Sequence, residues 1–198
     1  MYQPQDFFFK KAKKEGYPAR SVYKLKEIDQ KFHIFHPNDF VLDLGCAPGS
    51  WLLYIQKVTQ PKGKVVGIDL TPLTITLSAI FLQKDVFQLK QEELEKILIK
   101  EGKRKFDVIV SDLAPNTSGI KDVDEQESLD LMQRAFYFAT FLLKDGGSFV
   151  CKVFESYEVH CFAKEINSCF KFFKIFKPRA CRKRSKELYF VGKKYRAN

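Results

Sequence analysis

The chain has 198 residues, and a globular chain of this length usually folds as one domain. Its 45% of hydrophobic residues excludes an intrinsically disordered chain, and no apolar run approaches the roughly 20 residues of a membrane span. Lys and Arg number 34 against 24 Asp and Glu, and the formal net charge of +10 predicts a polyanionic partner.

The remaining composition points to an ordinary intracellular protein. We expect a single domain over residues 1–198, with a basic N-terminal segment at about 1–18 and no secretory signal. The five cysteines form no C-x-x-C pair and the three histidines show no ligand spacing, so we expect reduced thiols and no metal site. These features predict a cytoplasmic location.

Segments of helical periodicity alternate with short apolar runs along the chain. In chain order, they predict a helix at 20–32, a strand at 40–44, a helix at 51–59, strands at 64–69 and 80–82, a helix at 92–100, a strand at 106–112, a helix at 127–143, a strand at 147–153, a helix at 157–168 and a strand at 187–191. Several strands are nearly continuous hydrophobic runs, which is typical of a parallel sheet covered on both faces. The predicted class is therefore α/β, with a mostly parallel sheet and helices on both faces.

A glycine-rich turn, Asp43-Leu-Gly-Cys-Ala-Pro-Gly-Ser-Trp51, follows the first predicted strand. Ligands of a doubly wound sheet bind beyond the carboxyl ends of its strands, and Gly45 and Gly49 would let a ligand approach the backbone closely. The two glycines alone are also compatible with a simple strand-to-helix turn. Asp69 favours a ligand, because an acid at the end of the second strand can accept hydrogen bonds from both hydroxyls of a ribose.

The same turn discriminates between adenosine-containing cofactors. A P-loop needs a lysine after its last glycine, and here Ser50 follows Gly49. A dinucleotide site needs G-x-G-x-x-G, whereas this turn has one fewer glycine and contains Pro48, which has no backbone N–H. A cofactor with adenosine but no phosphates fits best, and we expect S-adenosylmethionine.

Lys152 is unusual for its position. It lies in the run Phe149-Val-Cys-Lys-Val-Phe154, whose other members are apolar. Buried strands rarely carry an unpaired lysine, so Lys152 either reaches solvent from the strand end or has a functional role.

Five segments resemble, in order, the motifs of the FtsJ/RrmJ-type (RlmE-like) ribosomal RNA 2′-O-methyltransferases. Besides the glycine-rich turn they are Arg20-Ser-Val-Tyr-Lys-Leu-Lys-Glu-Ile28, Ser111-Asp-Leu-Ala-Pro-Asn-Thr-Ser-Gly119, Gly147-Ser-Phe-Val-Cys-Lys-Val-Phe154 and Arg184-Ser-Lys-Glu-Leu-Tyr189. Together they span about residues 17–192. The resemblance implies a Rossmann-like S-adenosylmethionine-dependent methyltransferase fold with seven strands, including an antiparallel one. The departures, Ala19-Arg-Ser21 and Cys46, leave the chemistry unchanged.

The resemblance also implies site residues. The catalytic set would be Lys24, Asp112, Lys152 and Glu187. The cofactor would contact Gly45, Gly49, Trp51, Asp69, Asp85 and Asp112, with Asp85 beside the adenine and Asp112 beside the methionine end. Trp51 could instead be a core anchor, and Asp85 a turn residue.

A 2′-hydroxyl that attacks a methyl group must be aligned and must lose its proton. We expect Lys152 to accept that proton, Asp112 to orient Lys152 or the hydroxyl, and Lys24 and Glu187 to position the ribose. Lysine serves as a base only in its neutral form, which desolvation favours and neighbouring carboxylates oppose.

The implied partner is ribosomal RNA. Two basic clusters, one at 10–20 and one at 171–186, would hold its phosphates. The resemblance implies a uridine of the 23S rRNA A-loop as the target, within the large ribosomal particle, and we expect a monomer without an obligate protein partner. Alternatives are a methyltransferase of tRNA or organellar rRNA and, more remotely, an inactive RNA-binding protein or a nicotinamide-dependent oxidoreductase.

Overall fold

The computed structural model describes residues 7–182 and 184–197. The elements are α1 (Phe7–Lys14), α2 (Val22–Phe32), β1 (Phe40–Leu44), α3 (Ser50–Val58), β2 (Lys64–Asp69), β3 (Ile80–Gln83), α4 (Gln91–Lys100), β4 (Phe106–Ser111), α5 (Lys121–Leu142), β5 (Leu143–Phe154), α6 (Tyr157–Ser168), β6 (Phe170–Phe176) and β7 (Glu187–Tyr195). Every helix and strand predicted from the sequence is present, with somewhat different ends.

The seven strands form one sheet in the order β3-β2-β1-β4-β5-β7-β6. The first five in this order are parallel, and β7 runs antiparallel to both β5 and β6. Because β7 is reversed, its first residue, Glu187, pairs with the last residue of β5, Phe154. The start of β7 therefore lies at the same edge of the sheet as the carboxyl ends of the parallel strands.

Helices cover both faces of the sheet, as predicted. Residues of α1, α2 and α3 pack against one face, and those of α4, α5 and α6 pack against the other. Successive residues of β1 alternate between these layers: Leu42 and Leu44 lie with α4–α6, and Val41 lies with α1–α3. Asp43 is completely buried, like the rest of β1.

Two elements, α1 and β6, were not predicted from the sequence. α1 is lysine-rich, and only Ala12 is buried among its residues. β6 is an edge strand on which Lys171, Phe172 and Lys174 are exposed. Both segments therefore lack the regular apolar pattern of a buried element.

Two boundaries near the sheet also differ from expectation. α5 begins at Lys121, one and a half turns earlier than predicted, and β5 begins at Leu143 directly after the helix. On α5, Ala135, Phe138 and Leu142 are buried as expected, but Leu131 is only half-buried. Leu131 lines a cavity described below.

Candidate active site

A cavity of about 530 Å³ opens at the carboxyl edge of β1, β2 and β4. Its wall includes four of the predicted residues, Gly45, Asp69, Asp85 and Asp112. The volume is typical of a site for a small organic molecule. The cavity lies where ligands bind in doubly wound sheets.

The glycine-rich turn requires glycine at both predicted positions. Gly45 has φ 78°, and a Cβ atom there would lie 2.8 Å from the backbone nitrogen of Leu113. Gly49 precedes α3 with φ 110°, and its Cβ would lie 2.5 Å from Cδ1 of Ile75. Side chains rarely adopt such φ values. At Gly45 a Cβ would also push the turn away from the backbone of the β4 loop, and at Gly49 it would displace the Ile75 side chain.

Asp69 and Asp85 present carboxylates to the cavity while holding its loops. Asp69 accepts hydrogen bonds from the N–H groups of Ala47 and Thr71, each at 2.8 Å. Asp85 accepts one from the N–H of Phe87 at 2.9 Å, so it is a turn residue as well as a lining residue. A carboxylate has about four acceptor positions, so both groups keep capacity for a ligand.

Asp112 and Lys152 meet at the ends of β4 and β5. Lys152 Nζ donates to the backbone carbonyl of Asp112 at 2.6 Å and lies 3.3 Å from Asp112 Oδ1. Its side chain is only 6% exposed, so this lysine does not extend into solvent. Desolvated ammonium groups need such partners.

Tyr189 completes this group. Its hydroxyl donates to Asp112 Oδ1 at 2.8 Å, and its side chain is fully buried. Burial and the nearby charges of Asp112 and Glu187 raise the pKa of Tyr189 well above its usual value. Tyr189 therefore stays protonated and holds Asp112 as a hydrogen-bond donor.

Lys24 and Glu187 form the second ion pair of the site. Lys24 Nζ lies 2.6 Å from Glu187 Oε2 and 6.0 Å from the centroid of the Tyr189 ring. Burial lowers the pKa of Lys24, but the carboxylates of Asp112 and Glu187 outweigh it, so the net shift is upward. Lys24 is therefore a permanent cation. The four predicted catalytic residues are thus brought together around Tyr189.

A smaller cavity of about 210 Å³ adjoins this pair. It is lined by Arg20, Ser21, Lys24, Arg182 and Glu187. Three cations and one carboxylate give it a positive charge. An anionic group could therefore sit beside Lys24.

The Trp51 side chain lies in the core. The indole is 2% exposed, lies 6.2 Å from the Tyr189 ring and donates to the carbonyl of Ser21 at 3.1 Å. It therefore links α3 to the start of α2, as a core anchor does. Trp51 is not among the residues that line the cavity, and its contact with a cofactor stays a prediction.

The cluster at 171–186 is divided in the structure. Arg182 lines the small cavity, whereas Lys177 donates to the carbonyl of Ser185 at 2.7 Å and Lys186 pairs with Glu125 at 2.9 Å. Lys183 and residues 1–6 of the N-terminal segment lie outside the described residues.

Comparison with known proteins places the chain in a family. The sequence profile of FtsJ-like methyltransferases matches residues 17–195. The chain belongs to the FtsJ-like methyltransferase family. All five sequence segments that resemble this family lie within the matched range.

Individual relatives are similar over nearly their whole length. The ribosomal RNA large subunit methyltransferase E of Desulfatibacillum aliphaticivorans is 46% identical over 95% of this chain and 89% of its own. The protein of the same name from Bdellovibrio bacteriovorus is 44% identical over 96% and 97%. A crystal structure of a ribosomal RNA methyltransferase from Plasmodium falciparum superposes with a TM-score of 0.81 at 26% identity, covering 92% of this chain and all of that one.

Membership of this family confirms the prediction that the chain is a methyltransferase with a Rossmann-like sheet. In residues 7–182 and 184–197, no helix combines the length and apolar character needed to cross a membrane.

Sequence reasoning missed Asp43 and Tyr189 as members of the site. Neither carboxylate oxygen of Asp43 has a hydrogen-bond partner among the described residues. Burial, together with Asp112 and Asp69, raises the pKa of Asp43 well above its usual value. The sequence contains a signal for each residue. Asp43 is an acid within an apolar strand, and Tyr189 lies two residues after Glu187, which puts both side chains on the same face of a strand.

Proposed function

We propose that this methyltransferase transfers the methyl group of S-adenosylmethionine to a ribose 2′-hydroxyl of large-subunit ribosomal RNA, at a uridine of the A-loop. The observation that carries the proposal is the group of Lys152, Asp112, Tyr189, Lys24 and Glu187 beside the cavity at the strand ends. It combines a buried amine, its orienting acid and a cationic entrance, which alignment and deprotonation of a nucleic-acid hydroxyl require.

The cavity fits S-adenosylmethionine in two respects. Asp69 and Asp85 offer carboxylates for the ribose and adenine. The turn lacks the lysine and the third glycine of a phosphate cradle, and its Pro48 has no backbone N–H. When bound, the cofactor supplies an electrophilic methyl group on a sulfonium.

Lys152 is the proton acceptor in this proposal. A neutral amine has two N–H groups and one lone pair. Two oxygens of Asp112, the backbone carbonyl at 2.6 Å and Oδ1 at 3.3 Å, lie within reach of the N–H groups. The lone pair is then left to accept the proton of the 2′-hydroxyl. Tyr189 keeps the Asp112 carboxylate in place by donating to it.

Lys24 and Glu187 are positioning groups. The raised pKa of Lys24 keeps it an ammonium, so it serves as a cation and a donor rather than a base. Arg20 and Arg182, in the adjoining cavity, would hold the phosphate next to the target ribose.

All these groups come from one chain: Asp112, Lys152, Tyr189 and Glu187 lie on strands of the sheet or directly after them, and Lys24 lies on α2. We therefore infer that a single domain acting as a monomer is sufficient. Since the substrate belongs to the ribosome, we place the reaction in the cytoplasm.

The decisive experiment offers labelled S-adenosylmethionine with unmethylated large ribosomal subunits, protein-free rRNA or tRNA, and maps each 2′-O-methyl group. We expect one site, at a uridine of the A-loop in 23S rRNA, and no product with Lys152→Ala. Methylation of tRNA alone would contradict the substrate class. Calorimetric titration with S-adenosylmethionine and with a nicotinamide cofactor tests which cofactor the protein binds. If the protein bound only the nicotinamide cofactor, the proposal would be overturned.

A further inference from the structure

A second groove, of about 460 Å³, lies between α2 and the end of β6. Its walls are formed by Glu27, Gln30, Lys31, Phe176, Lys177 and Arg179. It shares none of these residues with the two cavities of the active site. We call it the α2–β6 groove.

The α2–β6 groove is positively charged. Lys31, Lys177 and Arg179 contribute three cations. Glu27 is the one acid among the described residues that line it, and its oxygens accept the N–H groups of Arg179 at 2.6 Å and Ala180 at 3.0 Å. The acid is thus turned toward the backbone, and the cations are left to attract an anion.

Aromatic rings lie beside these cations. Lys31 Nζ is 4.4 Å from the centroid of the Phe176 ring, and Phe32 contacts both Phe176 and Phe172 at centroid distances of 5.3 and 5.8 Å. Phe172, on the same face of β6, is 42% exposed. Of these three rings only Phe172 is exposed. An exposed ring beside cations is typical of surfaces that bind single-stranded nucleic acid by stacking bases and holding phosphates.

The groove continues the basic surface of the active site. Lys24, Glu27 and Lys31 lie on one face of α2 at positions i, i+3 and i+7, so Lys31 is about 10 Å along the helix from Lys24. Between the two sites runs the segment 178–180, which Arg20 holds through a hydrogen bond from Nη2 to the carbonyl of Ala180 at 2.5 Å. About three stacked nucleotides at 3.4 Å each would cover this span.

We propose that the α2–β6 groove binds the single-stranded RNA next to the target nucleotide, with phosphates on Lys31 and Arg179 and a base on Phe172. The proposal rests on the proposed function, because it takes the ligand to be another part of the same RNA. It makes the groove a determinant of substrate selection that lies outside the reaction centre.

The test compares wild type with Lys31→Gln/Arg179→Gln, and separately with Phe172→Ser. Binding to protein-free large-subunit rRNA is measured across salt concentrations, and kcat and KM are measured with unmethylated large ribosomal subunits. The logarithm of the RNA association constant falls linearly with the logarithm of the salt concentration, with a slope of about −0.7 for each single-stranded phosphate contact. Because the double variant removes two such contacts, we expect its slope to be shallower than that of wild type by about 1.4. We also expect KM to rise about ten-fold while kcat changes by less than about two-fold. Phe172→Ser should raise KM without changing the slope.

Lys100→Gln/Lys103→Gln is the matched control. These lysines are exposed at the end of α4, which leads into the start of β4 at the opposite edge of the sheet, and this variant should behave as wild type. An unchanged slope and KM in the Lys31/Arg179 variant would overturn the proposal. The proposal would also be overturned if the variant lost affinity for assembled ribosomal particles but not for free rRNA, because the groove would then bind a ribosomal protein. A failure of the proposed function would be seen separately, because the wild-type protein would then show no methyl transfer.

Discussion

Lys152 combines burial with two oxygen partners on a single residue, Asp112. Both oxygens can accept hydrogen bonds from the N–H groups of the lysine. Arginine offers the positive charge and donors but does not lose its proton in proteins. The substitution Lys152→Arg therefore separates a base from a cationic support.

We expect Lys152→Arg to be nearly as inactive as Lys152→Ala, with a loss of about a hundred- to ten-thousand-fold in kcat. Affinity for S-adenosylmethionine should stay within a few-fold, because the lysine acts in the transition state. Single-turnover methyl transfer and calorimetry measure the two quantities. Substantial activity of the arginine variant would assign the proton to Asp112 or water.

Asp69 has two tasks, because its carboxylate accepts from Ala47 and Thr71 and also faces the cavity. We expect Asp69→Ala to weaken S-adenosylmethionine binding by about 1.5–3 kcal/mol, the range for hydrogen bonds to a charged group. Isothermal titration measures the change, and Asp122→Ala, at an exposed position of α5, serves as the control. Wild-type affinity in a folded Asp69→Ala protein would remove this residue from the cofactor site.

At the scale of elements, α2 carries both Lys24 and the wall of the α2–β6 groove, so its position matters to both sites. Its C-terminal end is held by Asp29, which accepts from the N–H groups of Ile34 at 2.9 Å and Phe35 at 3.1 Å and from the hydroxyl of Tyr54 at 2.7 Å. The hydroxyl contact ties α2 to α3. One carboxylate thus fixes the helix end, the following loop and a neighbouring helix.

Asp29→Ala should lower the free energy of unfolding by about 2–4 kcal/mol, because it leaves several donors without their acceptor. Asp29→Asn should lower the free energy of unfolding by less, because the amide oxygen of asparagine still accepts hydrogen bonds. Urea unfolding measures both. Below the unfolding transition, S-adenosylmethionine affinity should hold while kcat falls, because Lys24 is attached to α2. Equal stability of the alanine variant and wild type would show that Asp29 does not hold this end of the helix.

At the scale of the whole molecule, the active site costs stability. Asp43 is buried and has no hydrogen-bond partner among the described residues, and its raised pKa means that the folded chain binds a proton more tightly there than the unfolded chain. The contribution of Asp43 to stability is therefore greatest below its unfolded pKa of about 4 and is lost as pH rises toward the folded pKa.

Asp43→Asn should remove this pH dependence. We expect the free energy of unfolding of the variant, relative to wild type, to increase above pH 4 by up to about 1.4 kcal/mol per pH unit until the folded pKa is reached. Urea unfolding from pH 4 to 8 gives the difference, and the exposed Asp122→Asn provides the baseline. A difference that is constant with pH would mean that Asp43 is ionised in the folded chain and paired.

The sequence by itself determined the alternation of helices and strands, the glycine-rich turn and the acids at the strand ends. These features depend on local periodicity and on backbone conformations available to few residues: Gly45 and Gly49 have positive φ, and Gly45 and Asp69 line the cavity. The position of Lys152 as the lone charged residue of the apolar run 149–154 is likewise evident from local pattern alone. Recognition of the catalytic set, however, came from resemblance to the family and not from spacing.

Only the tertiary structure decided which distant groups meet. The antiparallel pairing of β7 with β5 places Tyr189 opposite Lys152 and brings Glu187 to Lys24, and this register depends on contacts between residues far apart in sequence. Burial decided the rest: it put the Trp51 indole in the core and left the Asp43 carboxyl without a partner among the described residues. A local pattern cannot determine these outcomes, because the same residue is charged or neutral, buried or exposed, according to what packs over it.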